Sequence, residues 1–525
     1  MWSTKLFLIF LLQYCVGLPT KTTTTTCKLN NEDDCLDAVM HPDLSPTPNL
    51  KAAQNGEDTQ EYWLEKSRDF IRQQANQRPN RNIAKNVILF IGDGMGLATL
   101  AAARNLIGGE EAFLSFEKFP YIGLSKTYAV DLTVADSACT ATAYLCGVKG
   151  NEATIGINGN VVQGDCEGMR NTSHHVTSIA KWAMDANKAA GFVTTTRVTH
   201  ASPAGVYANI AHREWENDAE LKEDCGEDTD LADIALQLIH NGVGSKLKVA
   251  MGGGRAQFIG ANSITPGKRL DGRNLINEYL SGSAGNAYVT TKQELDNLDL
   301  DKTERLLGLF QDSHMDYHLD AVANEQNTQP TLAEMTQKAI EFMQKEENGF
   351  FLFVEGGKID IAHHNVLAKI ALDETVEFAK AIELARNITS EDDTLIVVSA
   401  DHSHSFSLAG YQNRGSDIFG LANGIAEDNK RYLALSYANG PSFDTYFDTK
   451  ASERRRPEDI IQNSAHDVFP ATAPFESETH GGEDVPVYAS GPWSHLFTGV
   501  YEQNAIPHMM AYASCIGEGL KACET

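Results

Sequence analysis

A continuous apolar run at 86–91 is followed by similar, mainly apolar runs at 191–198, 247–251, 349–354 and 394–399. A strand that is apolar at consecutive positions is covered on both faces, which is the mark of a parallel sheet. Between the runs, apolar residues recur with a helical period. Residues 332–343 show it, and Leu367, Ala371, Thr375, Phe378, Ile382 and Ala385 show it best, in steps of four and three. Residues 61–74 read as a further amphipathic helix. Apolar strands alternating with such helices predict an α/β fold, a three-layer sandwich around a large, mostly parallel central sheet. From 411 to 478 the chain grows richer in Gly, Asn, Pro and charge, which predicts a small surface insertion.

The N-terminus breaks this pattern. Lys5, an apolar run over 6–12 and Cys15-Val16-Gly17 form a secretory signal, too short to span a bilayer. We expect 1–17 to be removed and 18–60 to be a Thr-rich leader. The net charge of -28 argues against a nucleic-acid or anionic-membrane surface as partner. It leaves anionic substrates open, because bound divalent metals reverse the local field. Of nine cysteines, eight remain after the signal, which suits an oxidising compartment. Candidate disulfides are Cys166 with Cys225, Cys515 with Cys523 and Cys27 with Cys35, leaving Cys139 and Cys146 as buried thiols; spacing alone does not fix this connectivity. Sequons at Asn171 and Asn387 fit secretion. No hydrophobic tail ends the sequence, so we expect a soluble, secreted protein without a membrane anchor.

Chemistry gathers at Ser137, which opens a small-residue run as a nucleophile at a helix start would. A serine hydroxyl is a weak nucleophile unless a base or a metal activates it. No Gly-x-Ser-x-Gly elbow surrounds this one. The first apolar run closes in Gly92-Asp93-Gly94, the fourth in Glu355-Gly356-Gly357 with Asp360, His363 and His364 beyond, the fifth in Asp401-His402-Ser403-His404. An Asp after one strand is ordinarily a turn or cap, and a lone His is ordinarily structural. Three such clusters at strand ends, where open α/β sheets bind ligands, predict a metal site. Asp360 and His364, four apart, share one helical face. Imidazole with carboxylate suits zinc, and an all-oxygen set suits magnesium.

In these motifs the chain resembles alkaline phosphatases of the animal type, from about 63 to 523. The signatures are Gly92-Asp93-Gly94-Met95-Gly96, Asp136-Ser137-Ala138, the run from Thr194 to Gly205, Phe353-Val354-Glu355-Gly356-Gly357, Asp401-His402-Ser403-His404 and Thr479-His480-Gly481-Gly482-Glu483-Asp484. The resemblance implies a catalytic domain over 61–410 and 479–525, with 411–478 as a crown-like insertion. It implies two zinc ions and one magnesium ion per subunit. Asp360, His364 and His480 match the ligands of a first zinc; Asp93, Asp401 and His402 match those of a second, facing Ser137. Asp93, Ser202 and Glu355 match the magnesium site, with His200 and His404 in outer positions. Arg213 matches the arginine that clamps phosphate; read by itself it is a surface helix arginine. The implied activity is hydrolysis of phosphate monoesters through a phosphoserine, releasing an alcohol and inorganic phosphate. The family commonly forms homodimers, a part that 61–74 could play, although a helix packed on its own domain fits the pattern as well.

Two departures stand out. Relatives usually carry a histidine or lysine after Asp360, where this chain has Ile361, which predicts weaker phosphate binding. Vertebrate relatives hold a peripheral calcium through acidic ligands, where this chain has Gln311 and Gln329, so no calcium is expected. Rival classes fit less well. A sulfatase needs Cys-x-Pro-x-Arg at its nucleophile, which is missing here, and a phosphodiesterase would need neither the third metal site nor Arg213. A non-enzymatic phosphate-binding glycoprotein would tolerate the loss of a ligand or nucleophile, and none is missing.

Overall fold

Each of the five apolar runs forms a strand in the computed structural model, which describes residues 56–524. The signal, most of the leader and the Cys27–Cys35 pair lie outside the described residues. Ten strands, β1 (Asn86–Gly92), β2 (Tyr121–Lys126), β3 (Ala189–Arg197), β4 (Val249–Gly253), β5 (Asn286–Val289), β6 (Arg305–Leu309), β7 (Phe350–Gly356), β8 (Thr394–Ala400), β9 (Val485–Ser490) and β10 (Gly499–Glu502), make one sheet. Their spatial order is β10-β2-β9-β8-β1-β7-β3-β4-β6-β5. Only β9 runs against its neighbours; the other pairs are parallel.

Alternation along the central strands builds two cores. On β1, Val87, Leu89 and Ile91 enter one core while Ile88 and Phe90 enter the other. Phe351 and Phe353 of β7 join the first, and Phe350, Leu352 and Val354 the second. The first core is closed by the helix Ser137–Cys146 together with Ile234–His240 and Ala505–Ser514. Leu97–Gly108, Leu332–Met343 and Ala368–Ile388 close the second. Since the side chains of a central strand serve one core or the other, its run is mainly apolar, and polar residues such as Thr194–Arg197 of β3 and Glu355 of β7 gather at its carboxyl end. The expected three-layer α/β sandwich is therefore present. The predicted stripe of Ala368–Ile388 is the buried one: Ala371, Thr375, Phe378, Ile382 and Ala385 are all buried, and Phe378, Ile382 and Ala385 join the second core.

Five strands escape the sequence pattern. β2 and β5 are only partly buried and β10 has no buried residue, so their sequences show no continuous apolar run; β9 contains Pro486, and β6 is a short, buried Arg-Leu-Leu-Gly-Leu. Segment 411–478 supplies Leu435, Tyr437, Phe469 and Ala471 to the second core, and Leu435–Tyr437 pairs antiparallel with Phe406–Leu408. The helix expected over 61–74 spans Gln60–Asn76, yet none of its residues is buried. Trp63, Phe70 and Ile71 are 55%, 61% and 63% exposed. Its apolar stripe is thus uncovered by the described chain, a departure from a helix packed on its own domain.

Candidate metal centre and active site

The carboxyl ends of β8, β1, β7 and β3, four neighbours in the sheet, carry the acidic clusters side by side. Gly92 pairs in register with Gly356 on one flank and Ala400 on the other, and Glu355 lies between Ile91 and Thr194. Asp93, Glu355 and Asp401 therefore converge because adjacent parallel strands end together, although Asp93 is hundreds of residues from the other two in the chain. Gly94, at φ +70°, turns the chain so that its N–H donates to Asp401 Oδ1 at 2.9 Å. A Cβ there would lie 2.3 Å from His404 Nε2, so only glycine fits.

Three groups of ligand atoms result. Asp360 and His364 ride on Lys358–His364, a short helix that follows β7, and His480 arrives from the segment after 478. His364 Nε2 and His480 Nε2 each lie 3.4 Å from Asp360 Oδ1 and 3.1 Å from each other. Their Nδ1 atoms point away to backbone carbonyls, His364 toward Glu478 O at 2.5 Å and His480 toward Ala135 O at 2.8 Å, which fixes both rings. In the second group, His402 Nε2 is 3.2 Å from Asp401 Oδ2 and 3.5 Å from Asp93 Oδ1. The third joins Asp93 and Glu355, with His200 beside them. Glu355 Oε2 is taken by Thr194 and Thr196, but Glu355 Oε1, Asp93 Oδ2, Ser202 Oγ and His200 Nδ1 are buried without a hydrogen-bond partner. Buried polar atoms are ordinarily satisfied, so orphaned oxygens on two carboxylates and a hydroxyl fit a hard cation. The two nitrogen-containing groups fit zinc.

Charge tells the same story. Burial, then Asp401, Asp360 and Glu355, pushes the Asp93 carboxyl well above the usual range. Burial lifts Glu355 to about 7 and raises Asp401. Asp360 is held well below the usual range by His364, His404 and His480 against the effect of burial. Burial, then the charges of Asp401 and Glu355, pushes the Tyr144 phenol far up. So many carboxylates in one dry site ionise together only if positive charge is brought in.

Ser137 begins the helix Ser137–Cys146, whose N-cap Asp136 accepts from the N–H groups of Ala138 and Cys139. Its Oγ lies 3.2 Å from His402 Nε2 and 3.4 Å from Asp93 Oδ1, so the second group faces the hydroxyl. Arg213 reaches the same place: Nη1 donates to Asp136 Oδ2 at 2.9 Å and Nη2 to His200 Nε2 at 3.1 Å. Ala153, at φ +59°, donates its N–H to Asp136 Oδ1 and accepts from the Arg213 N–H, tying clamp and nucleophile together. Every residue expected at the site is thus brought together except Ile361, which is half-buried beside Asp360 with no polar atom to offer.

The sequence reading missed Glu478. Its Oε2 pairs with His404 Nδ1 at 2.5 Å while His404 Nε2 reaches Asp360 Oδ1 at 2.8 Å. This pair of carboxylates, acting against burial, raises His404 to about 9. Glu478 stands two residues before His480, and that spacing was the only signal it gave. Cys166–Cys225 and Cys515–Cys523 are bonded, and Cys139 and Cys146 are free and buried.

Comparison with known proteins agrees with this geometry. The sequence pattern of the family described as Alkaline phosphatase matches residues 84–516. A membrane-bound alkaline phosphatase of Bombyx mori is 42% identical, covering 92% of this chain and 90% of its own. The tissue-nonspecific isozyme of Homo sapiens is 43% identical, covering 88% and 90%. Among solved structures, a histidine-to-aspartate variant of TAB5 alkaline phosphatase with magnesium bound in its M3 site is 25% identical, with a TM-score of 0.58, and covers 83% of this chain and 100% of its own. Thermus thermophilus alkaline phosphatase shares the fold at a TM-score of 0.59 and 23% identity, covering 86% and 97%.

Proposed function

Because this chain belongs to the alkaline phosphatase family, and so is a phosphomonoesterase, we propose that it cleaves monoesters through a covalent phosphoserine on Ser137. The observation that carries this is the placement of Ser137 Oγ against His402 and Asp93, two members of the ligand group Asp93, Asp401 and His402. Asp360, His364 and His480 would hold one zinc, Asp93, Asp401 and His402 a second, and Asp93, Ser202 and Glu355 magnesium. When bound, a zinc pair supplies Lewis acidity to the attacking and leaving oxygens of an in-line displacement.

This chain's own residues do the rest. Asp136 holds Arg213 so that its remaining N–H groups can donate to two non-bridging phosphate oxygens. Ser137 Oγ, its proton passed to solvent water, attacks phosphorus; the P–O bond to the alcohol breaks, and the alcohol leaves with a proton from water. Water then attacks phosphorus from the opposite side and gives up a proton, the P–Oγ bond breaks, Ser137 Oγ takes a proton back, and phosphate departs. His404, fixed between Asp360 and Glu478, keeps the Asp360 carboxylate oriented. His200 accepts from Arg213 and stands beside the oxygen site.

The calcium-free reading draws support from Asp316, whose two oxygens accept from Gln311 Nε2 at 3.2 Å and Gln329 Nε2 at 2.7 Å. Amide N–H groups thus face the carboxylate where a cation would need oxygens. Secretion, glycans on the exposed Asn171 and Asn387, the crown-like role of 411–478 and a homodimer joined through Gln60–Asn76 complete the proposal. Among the described residues no helix is long and apolar enough to cross a membrane.

The test is hydrolysis of an aryl phosphate against a diester and an aryl sulfate. We expect the monoester to be preferred, and Ser137→Ala to lower its turnover roughly 10³-fold or more and to abolish labelling by substrate phosphate. A variant that still turned over at the wild-type rate would end the covalent reading.

A further inference from the structure

Among the polar atoms buried without a partner is one that the proposed chemistry does not use, the hydroxyl of Tyr144. Tyr144 lies two turns after Ser137 on Ser137–Cys146 and is fully buried. Its ring stacks on Phe353 with centroids 6.1 Å apart and planes at 27°. Phe353 and Glu355 are alternate residues of β7 and so project from the same face of the sheet. Ser202 belongs to the short helix Ala201–Ala204, packed against the tyrosine's own helix: a Cβ at Gly205 would meet Ala141 Cβ at 2.8 Å and Leu145 Cδ1 at 3.0 Å. The phenol is therefore wedged between the two elements that supply Ser202 and Glu355, and both its hydroxyl and Ser202 Oγ lack a partner. A buried hydroxyl that serves packing alone would be better replaced by a hydrogen atom, because an unmade hydrogen bond costs more than an absent one.

We propose that Tyr144 is a positioning residue of the oxygen site, its hydroxyl pairing with Ser202 Oγ and aiming the serine lone pair at the bound cation. The inference rests on reading Asp93, Ser202 and Glu355 as a magnesium site. Tyr144 acts through Ser202 and touches neither cation nor substrate. Partners of metal ligands typically carry about 10–100-fold in affinity.

The experiment compares wild type, Tyr144→Phe and Phe353→Leu, each as full-length zinc-loaded protein titrated calorimetrically with Mg2+ after dialysis into magnesium-free buffer. Zinc content and the melting temperature without Mg2+ are measured alongside. Tyr144→Phe is expected to weaken Mg2+ binding about 10-fold or more, with zinc content unchanged and melting without Mg2+ unchanged or higher. Phe353→Leu, which loosens the same packing and leaves the hydroxyl in place, is expected to bind Mg2+ within about twofold of wild type. Equal Mg2+ affinity in wild type and Tyr144→Phe overturns the proposal. So does an equal loss in both variants, or a Tyr144→Phe protein that fails to fold, since each makes the tyrosine a packing residue. Absence of Mg2+ binding by wild type would instead remove the reading of the oxygen site on which the inference rests.

Discussion

At the scale of single residues, chemistry depends on which polar atoms lack partners. Asp93 Oδ2, Ser202 Oγ and Glu355 Oε1 are left open, whereas Asp316, which could look like another acidic ligand, has both oxygens filled by amides. Ile361 stands where a polar side chain would meet phosphate. Ile361→His is expected to tighten inhibition by inorganic phosphate several-fold, through a hydrogen bond to a charged group; an unchanged inhibition constant would refute the expectation that Ile361 weakens phosphate binding. Glu374 gives a pH prediction away from the ligands. Burial lifts its carboxyl to about 7 from an unfolded value near 4.5, although the His318 N–H and Lys358 oppose this. The folded state therefore binds the proton more tightly, so its contribution to stability is full below pH 4.5 and is lost as pH rises to about 7. Glu374→Gln should match wild type at pH 4.5 and exceed it at pH 8 by up to roughly 3 kcal/mol in urea unfolding. A constant difference across that range would contradict the assignment.

At the scale of elements, the site exists because neighbouring parallel strands end together: β1 and β8 are followed directly by Asp93 and Asp401, and β7 brings Glu355 as its last residue but one, with β3 alongside. The sequence showed those ends clearly, since an apolar run that stops at Gly92-Asp93 or Asp401-His402 marks both the strand and its function. Gln60–Asn76 is the opposite case. Its pattern was legible, but the covering surface was not, because an amphipathic stripe states that something is covered without stating by what. A helix of 17 residues with no buried side chain gains little from its own chain beyond the Thr59 cap and the Trp63 Nε1 hydrogen bond to Glu57 O. We expect the full chain to run as a dimer in light scattering and a chain beginning at Gln77 to run as a monomer. Equal masses for the two would rule out Gln60–Asn76 as the dimer arm.

At the scale of the whole molecule, burial of Asp93, Glu355 and Asp401 together is tolerable only with cations present. Removing metals with a strong chelator should abolish monoester turnover and lower the melting temperature. At a cation level about 1,000-fold above its dissociation constant, each site contributes about 4 kcal/mol to folding. Restoring zinc and magnesium together should recover both readings, and a chelated protein that kept its activity would exclude the metal reading altogether.

The fold class and the acidic and imidazole clusters that follow β1, β7 and β8 were legible in the sequence for one physical reason, whereas Arg213 and His480 were singled out only by the family resemblance. Parallel strands buried on both faces leave uninterrupted apolar runs, and the polar residues that end those runs have no packing role to disguise them. A partly buried strand such as β2 leaves no such trace, because its exposed face frees half its positions, and β10, with no buried residue, leaves none at all. Tertiary structure alone decided which atoms meet. Only folding set His404 between Asp360 and Glu478, put Ala153 between Asp136 and Arg213, and left the Tyr144 hydroxyl unpartnered beside Ser202's helix. Residue order fixes which groups stand at a strand end. Partnership across strands and helices far apart in sequence follows from sheet order and packing, which no local pattern encodes.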